Sequence, residues 1–308
     1  MKNIAIPNTE LTSSNIIMGC MRINTLSLKE IDTLVKTALD QGINFFDHAN
    51  VYGGGECETL FSKAVGLTPA FREKLIIQSK CGIRKEETVY YDFSKENILE
   101  STDAILHRLN TDYLDVLLLH RPDTLVEPEE VAEAFEILHT SGKVKYFGVS
   151  NSNPNQIELL KKYVSRPIIF NQLQYSVVHT PLIDQGIAVN MAIDQSVDRA
   201  GQTLDYCRLN EITIQAWSPF QKGFFEGPFF QHPEYGDLTN ALMKYGEKYG
   251  LDVTGAAVAW ILRHPANMQV VLGTTKPERI IAAGKGSGVP MSRQEWYNIY
   301  QTAGNMIP

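Results

Sequence analysis

Short apolar, strand-like runs alternate with amphipathic, helix-like runs along almost the whole chain, and this alternation restricts the fold more than any other feature. After a leading hairpin at about 4–16, strand patterns fall at 17–20, 43–46, 75–79, 114–119, 145–149, 168–172, 212–216 and 270–272. Helical patterns lie between them at 28–41, 56–65, 94–109, 128–141, 154–163, 197–210 and 238–249, and one at 276–283 closes the set. Such alternation predicts a parallel sheet, because parallel neighbours need a long crossover, usually a helix. Eight units in 308 residues fit a closed (β/α)8 TIM barrel. A doubly wound sheet typically has fewer strands and a GxGxxG turn after the first, and no such turn is present. Helical patterns at 254–263 and 293–301 are extra to the barrel. No linker divides residues 1–308, so a single domain is expected.

A barrel of this kind carries its chemistry at the carboxyl ends of the strands. The second strand runs directly into Asp47, His48, Asn50 and Tyr52, and then into Gly53, Gly54 and Gly55, which permit a tight turn before the next helix. Tyr52 is a weak acid unless a cation stabilises its anion, and Asp47 can only serve by holding such a cation beside it. Strand three ends in Lys80 and strand four in His120. Adjacent strands lie under about 5 Å apart, so the four groups can converge. Lys80 is expected to lower the Tyr52 pKa, and His120 to donate to a substrate oxygen. Each residue alone has a structural explanation, such as a core histidine or a snorkelling lysine. The four together at three consecutive strand ends are harder to obtain from packing.

Composition narrows the partners. With 28 basic and 35 acidic residues the net charge is −7, and no Lys/Arg cluster stands out, so neither nucleic acid nor a membrane surface is expected. No apolar window approaches the roughly 20 residues of a membrane span. The cysteines Cys20, Cys57, Cys81 and Cys207 lack a CxxC pair, which fits reduced thiols and a cytoplasmic setting. The expected partner is a small-molecule carbonyl substrate, and the expected state a monomer or weak homo-oligomer.

The stretch Asn44-Phe-Phe-Asp-His-Ala-Asn-Val-Tyr-Gly53, with Lys80 and His120, resembles the signature and tetrad of the aldo-keto reductase superfamily, and the resemblance covers nearly the full length. It implies a barrel that binds NADPH across its mouth without a Rossmann fold and reduces a carbonyl by hydride transfer, with no metal. By the same resemblance, Ser150, Asn151 and Gln172 would bind the nicotinamide carboxamide, and Trp217, where the family most often has Tyr, would stack on its ring. Gly19, Cys20 and Met21 would near the nicotinamide ribose. Ser218, Pro219, Phe220, Lys222 and Gly223 are similar to a pyrophosphate loop. Gly273, Thr274, Thr275, Lys276 and Arg279 resemble a clamp for the adenosine 2′-phosphate, which favours NADP over NAD. Ala282 and Ala283 depart from the family, which often carries a Glu-Asn pair there for the adenine amine.

Three other readings stay open at this level. Lys80 could be the Schiff-base lysine of an aldolase. Asp47, His48 and His120 could serve a metal hydrolase, although no HxH pair completes a ligand set. The barrel could also hold NADPH as a redox-sensing module with little turnover. Substrate choice falls to loops near 89–93, 176–195 and 220–235 and to the tail after 301, with Phe93, Phe224, Phe225 and Phe229 hinting at an apolar pocket.

Overall fold

The computed structural model describes residues 1–223 and 226–308. A hairpin, β1 (Asn3–Ala5) and β2 (Thr12–Ser14), precedes the barrel strands. These are β3 (Ile16–Gly19), β4 (Phe45–Asp47) and β5 (Ile76–Cys81), then, after a second hairpin of β6 (Ile83–Lys85) and β7 (Val89–Tyr91), β8 (Leu114–Leu119), β9 (Val144–Ser150), β10 (Ile168–Gln174), β11 (Thr213–Trp217) and β12 (Met268–Leu272). The eight are parallel throughout and close on themselves where β12 pairs with β3. The expected barrel is therefore present, with each strand within two residues of its place in the sequence reading.

Alternation along the strands decides what faces inward. Ile17, Phe45, Ile76, Val116, Leu118, Phe170 and Val271 form one buried cluster inside the barrel, and Ile6 from the leading hairpin joins it. Their neighbours Phe46, Ile77 and Leu117 belong to the larger cluster shared with the helices. Period-two geometry then carries the inward row onward to Asp47, Lys80, His120 and Gln172. The interior thus changes from apolar to polar within one or two residues of the strand ends.

The helices are set by local signals. Ser27 and Glu30 form a capping box at Leu28–Asp40, and Asn153 and Gln156 form another at Pro154–Lys161, with Pro154 in the first turn. Helix Val253–Leu262 is buried on nearly every side and packs against β12, while Gly236–Glu247 packs against it in turn. Of these two, the one expected to be extra is the one seated on the barrel: its uniform apolarity carries no amphipathic period, so periodicity alone misassigns it. The pattern at 197–210 forms a helix only over Thr203–Leu209. The hairpin β6–β7 and the short helices Pro69–Arg72 and Pro181–Ile187 were not expected from periodicity. Among the described residues no helix is long and apolar enough to cross a membrane.

Candidate active site

Register brings the polar strand ends together. Asp47 on β4 pairs across to Gln78 on β5, and Lys80 lies two residues further along the same inward face. The ammonium of Lys80 is fully buried and spends all three protons: on Asp47 Oδ2 at 2.7 Å, on the His48 carbonyl at 2.8 Å and on the Tyr52 hydroxyl oxygen at 3.2 Å. Because the Tyr52 oxygen accepts from Lys80, the phenol's own proton remains free to be donated. The His120 ring meets Tyr52 edge-on at 5.9 Å. Asp47, Tyr52 and His120 line a cavity of about 710 Å³ over the carboxyl ends of the strands, with Lys80 directly behind them.

The turn that delivers Tyr52 depends on glycine. Gly53, Gly54 and Gly55 have φ of 57°, 65° and 93°, and a Cβ on Gly55 would stand 2.7 Å from the Arg108 side chain. Helix Glu56–Val65 then starts where expected.

Burial and charge oppose each other at each titratable group. Burial works against the Lys80 ammonium, but Asp47 and Tyr52 outweigh it and hold its pKa above the ordinary lysine value. Burial pushes the Tyr52 phenol up, and the Lys80 charge only partly offsets this, so the pKa is raised where the sequence reading expected it lowered. The expectation weighed the cation and not the desolvation. The consequence is a phenol that keeps its proton at neutral pH. Burial, then the charges of Lys80, Arg121 and Lys85, drive the His120 pKa well below its usual value, so its ring is neutral there. Burial also pushes the Cys81 thiol up to about 12, consistent with a structural role rather than a reactive one.

Sequence reasoning missed a set of buried glutamines. Gln78 Nε2 donates to Asp47 Oδ1 at 2.6 Å and Gln172 Nε2 to the same oxygen at 3.1 Å. Both also donate to Gln215 Oε1, and Gln215 Nε2 donates to Gln78 and Gln269. This cross-barrel layer saturates Asp47 from the side opposite Lys80. Gln78 and Gln215 sit at inward positions of apolar strands, and that break in the pattern was the signal. Gln172 was expected to bind the nicotinamide carboxamide; its own amide nitrogen is already committed to Asp47 and Gln215, while the residue still lines the cavity.

The remaining expected residues divide. Gly19, Met21, Ser150, Asn151, Trp217, Ser218, Pro219, Phe220, Gly273, Thr274 and Arg279 all line the cavity. Trp217 Nε1 donates to Asn151 Oδ1 at 3.1 Å, and Asn151 Nδ2 to Ser150 Oγ at 2.7 Å, so these three form one braced wall. Cys20 is instead buried in the core, as packing requires of a small thiol. Lys222 pairs with Glu226 and Glu234, and Lys222, Gly223, Thr275 and Lys276 lie outside the lining. Phe93 and Phe229 are core residues, Phe93 lying against Gly82, while Phe220 and Phe230 line the cavity; Phe224 and Phe225 lie outside the described residues. Arg22, the end of the segment expected near the nicotinamide ribose, also lines it, as do Lys85 and Arg121, which were not anticipated as site residues. Among the described residues no group of three His, Cys, Asp or Glu side chains could hold a metal ion.

Comparison with known proteins gives a consistent picture. The chain is 35% identical to the oxidoreductase YdhF of Escherichia coli, covering 94% of this chain and 93% of that one. It is 34% identical to a 6-dehydroglucose reductase of Agrobacterium fabrum, covering 98% of each. Its fold matches the crystal structure of the thermostable aldo-keto reductase Tm1743 in complex with the inhibitor epalrestat, with a TM-score of 0.77 at 24% identity over 98% of this chain and all of that one. The model of the aldo/keto reductase family matches residues 15–302, and the chain belongs to that family of oxidoreductases.

Proposed function

We propose that this protein reduces an aldehyde or ketone to an alcohol with NADPH as the hydride source, Tyr52 acting as the general acid. When bound, the reduced nicotinamide supplies a hydride to the carbonyl carbon. Tyr52 gives its proton to the carbonyl oxygen as negative charge develops there, and Lys80 stabilises the phenolate that remains. Asp47, saturated by Gln78 and Gln172, fixes the ammonium in place. The neutral His120 can donate one ring N–H to the same substrate oxygen. Holding the reacting groups in line can supply on the order of 7–11 kcal/mol of the barrier.

The lining is suited to a dinucleotide. Trp217 offers a braced aromatic ring at the cavity wall, Ser150 and Asn151 offer polar groups beside it, and Thr274 and Arg279 offer a hydroxyl and a guanidinium for a phosphate. A Cβ at Gly273 would meet no atom within 4 Å, so the backbone there is open to close approach. These features favour NADP over NAD.

The observation that carries the reading is the Lys80 hydrogen bond to the Tyr52 hydroxyl. It also argues against a Schiff-base role, since a nucleophilic lysine must be neutral and accessible, whereas Lys80 is buried and held charged. The test is to titrate the protein with NADPH and NADH while following tryptophan fluorescence, then to screen carbonyl compounds for cofactor oxidation. Quenching by NADPH that is lost in Trp217→Phe, together with turnover, is expected. Quenching without turnover of any carbonyl would leave a binding module and remove the reductase reading.

A further inference from the structure

The cavity differs in charge from the rest of the molecule. The chain carries −7 overall, yet the lining holds Arg22, Lys85, Arg121 and Arg279 against one carboxylate, Asp47, which Lys80 already neutralises. Barrel order sorts these cations. The residues suited to the cofactor follow β9, β10, β11, β12 and β3, and Arg22 and Arg279 fall in that arc. Lys85 and Arg121 follow β5 and β8, on the other flank of Tyr52, where the substrate would lie.

Several exposed cations, such as Lys36, Lys95, Lys143 and Lys248, meet a carboxylate within 2.7 Å. Others, such as Lys63 and Lys244, meet none among the described residues and stand in open solvent, so it is the place of Arg121 and Lys85 at the cavity that matters. Among the described residues neither Arg121 nor Lys85 is within ion-pair distance of one. Asp123, two residues from Arg121, commits its oxygens to the Phe93 and Leu125 amides. Arg121 is half-buried, and its guanidinium sits 5.5 Å from the centre of the Trp217 ring. A partly desolvated, oriented guanidinium with no acid beside it is a site that an incoming anion would complete. Both charges also act on His120, whose ring meets Tyr52 at the cavity.

We propose that the preferred carbonyl substrates carry an anionic group, a carboxylate or a phosphate, which Arg121 binds with help from Lys85 while the carbonyl faces Tyr52. This rests on the reductase reading and specifies its substrate class. Arg121 and Lys85 thereby act as specificity residues and take no part in proton or hydride transfer.

The test compares charged and neutral partners of similar shape. Succinic semialdehyde is paired with 4-oxobutanamide for the carboxylate, and D-glyceraldehyde 3-phosphate with D-glyceraldehyde for the phosphate. The charged member of at least one pair is expected to show a kcat/KM about tenfold or more above the neutral one, mostly through KM, and which pair does so identifies the anion. That ratio should fall toward one in Arg121→Gln, fall partway in Lys85→Gln, recover partly in Arg121→Lys, and shrink with rising salt. A wild-type ratio near one for both pairs, or an Arg121→Gln variant that slows both members alike, overturns the proposal. Calorimetric titration of succinate and inorganic phosphate into wild type and Arg121→Gln gives a second reading. If no carbonyl turns over, the reductase reading fails, yet anion binding that is lost in Arg121→Gln still upholds the site, and binding that is absent or unchanged overturns it.

Discussion

Two buried ion pairs lie near opposite ends of the barrel and are built from the same chemistry. Near the amino ends, Arg72 meets Asp115 at 2.8 Å, and Lys145 meets the same carboxylate at 3.0 Å. Every group there is matched: Arg72 also donates to Thr111 and to the Leu75 and Tyr113 carbonyls, Asp115 accepts the Ile77 amide, and both cations lie over the Tyr113 ring. At the carboxyl ends, Lys80 and Asp47 are as well matched to each other, but the chain of bonds passes on to Tyr52, whose proton is unspent, and His120 Nδ1 has no partner. The closed network is suited only to holding strands together. The open one ends at a cavity with donors left over, and chemistry needs such donors.

Replacement of Tyr52 by Phe tests the open end most directly and should have the largest effect. Loss of the general acid is expected to lower kcat by about 10²–10⁴, while NADPH quenching of tryptophan fluorescence and the unfolding midpoint stay close to wild type. Retained turnover would move the proton donor elsewhere. Lys80→Met and Arg72→Met then compare the two ends. Lys80→Met leaves the buried Asp47 with no cation and should cost about 3–5 kcal/mol in denaturant unfolding, while Arg72→Met leaves Asp115 paired with Lys145 and should cost less. Only Lys80→Met should also abolish turnover in the fraction that remains folded. Equal loss of turnover in both variants would erase the distinction between the two ends.

A smaller effect is expected at the turn that delivers Tyr52. Gly55→Ala puts a Cβ where Arg108 lies and forces a left-handed residue, at a cost of about 1–3 kcal/mol. Turnover should fall with it, because the same turn sets the Tyr52 position, and a neutral result would show that Arg108 can swing away from Glu58 freely.

Much of this was legible in the sequence, for identifiable reasons. The strand ends Asp47, Lys80 and His120 could be placed because period-two alternation carries an inward row of Phe45, Ile76 and Leu118 straight onto them. The role of Lys80 followed from the need of the Tyr52 phenol for a cation. The sign of the Tyr52 pKa shift did not follow, since desolvation is a property of the folded surroundings that spacing along the strands does not give. The Gln78 and Gln215 layer was visible as polar residues at inward positions, but its partners are 137 residues apart and only the closed barrel joins them. Lys85 was out of reach because the hairpin carrying it lies outside the strand–helix rhythm. Helix Val253–Leu262 was seen but misplaced, because a helix apolar on all sides gives no direction to its face.

His48 offers the finest test of how the open end is built. Its imidazole is fully buried against the Phe61 ring at 4.7 Å, and neither ring nitrogen has a partner. Burial, reinforced by the Lys80 charge, lowers its pKa from the usual 6.5 to about 3. The folded state therefore binds fewer protons than the unfolded chain between those values. The stability owed to a neutral His48 is whole above pH 6.5 and drains away as the pH falls toward 3. Only the His48 carbonyl contacts Lys80, so His48→Leu keeps that bond and removes two unmatched polar atoms. The variant should lie within about 1 kcal/mol of wild type at pH 7, and should lose on the order of 2–3 kcal/mol less than wild type on going to pH 4, as measured by urea unfolding at each pH. An acid limb of the same slope in both proteins would mean that the ring finds a partner or a proton when the surrounding packing opens, and that the carboxyl end is less tightly sealed behind Lys80 than the amino end is around Arg72.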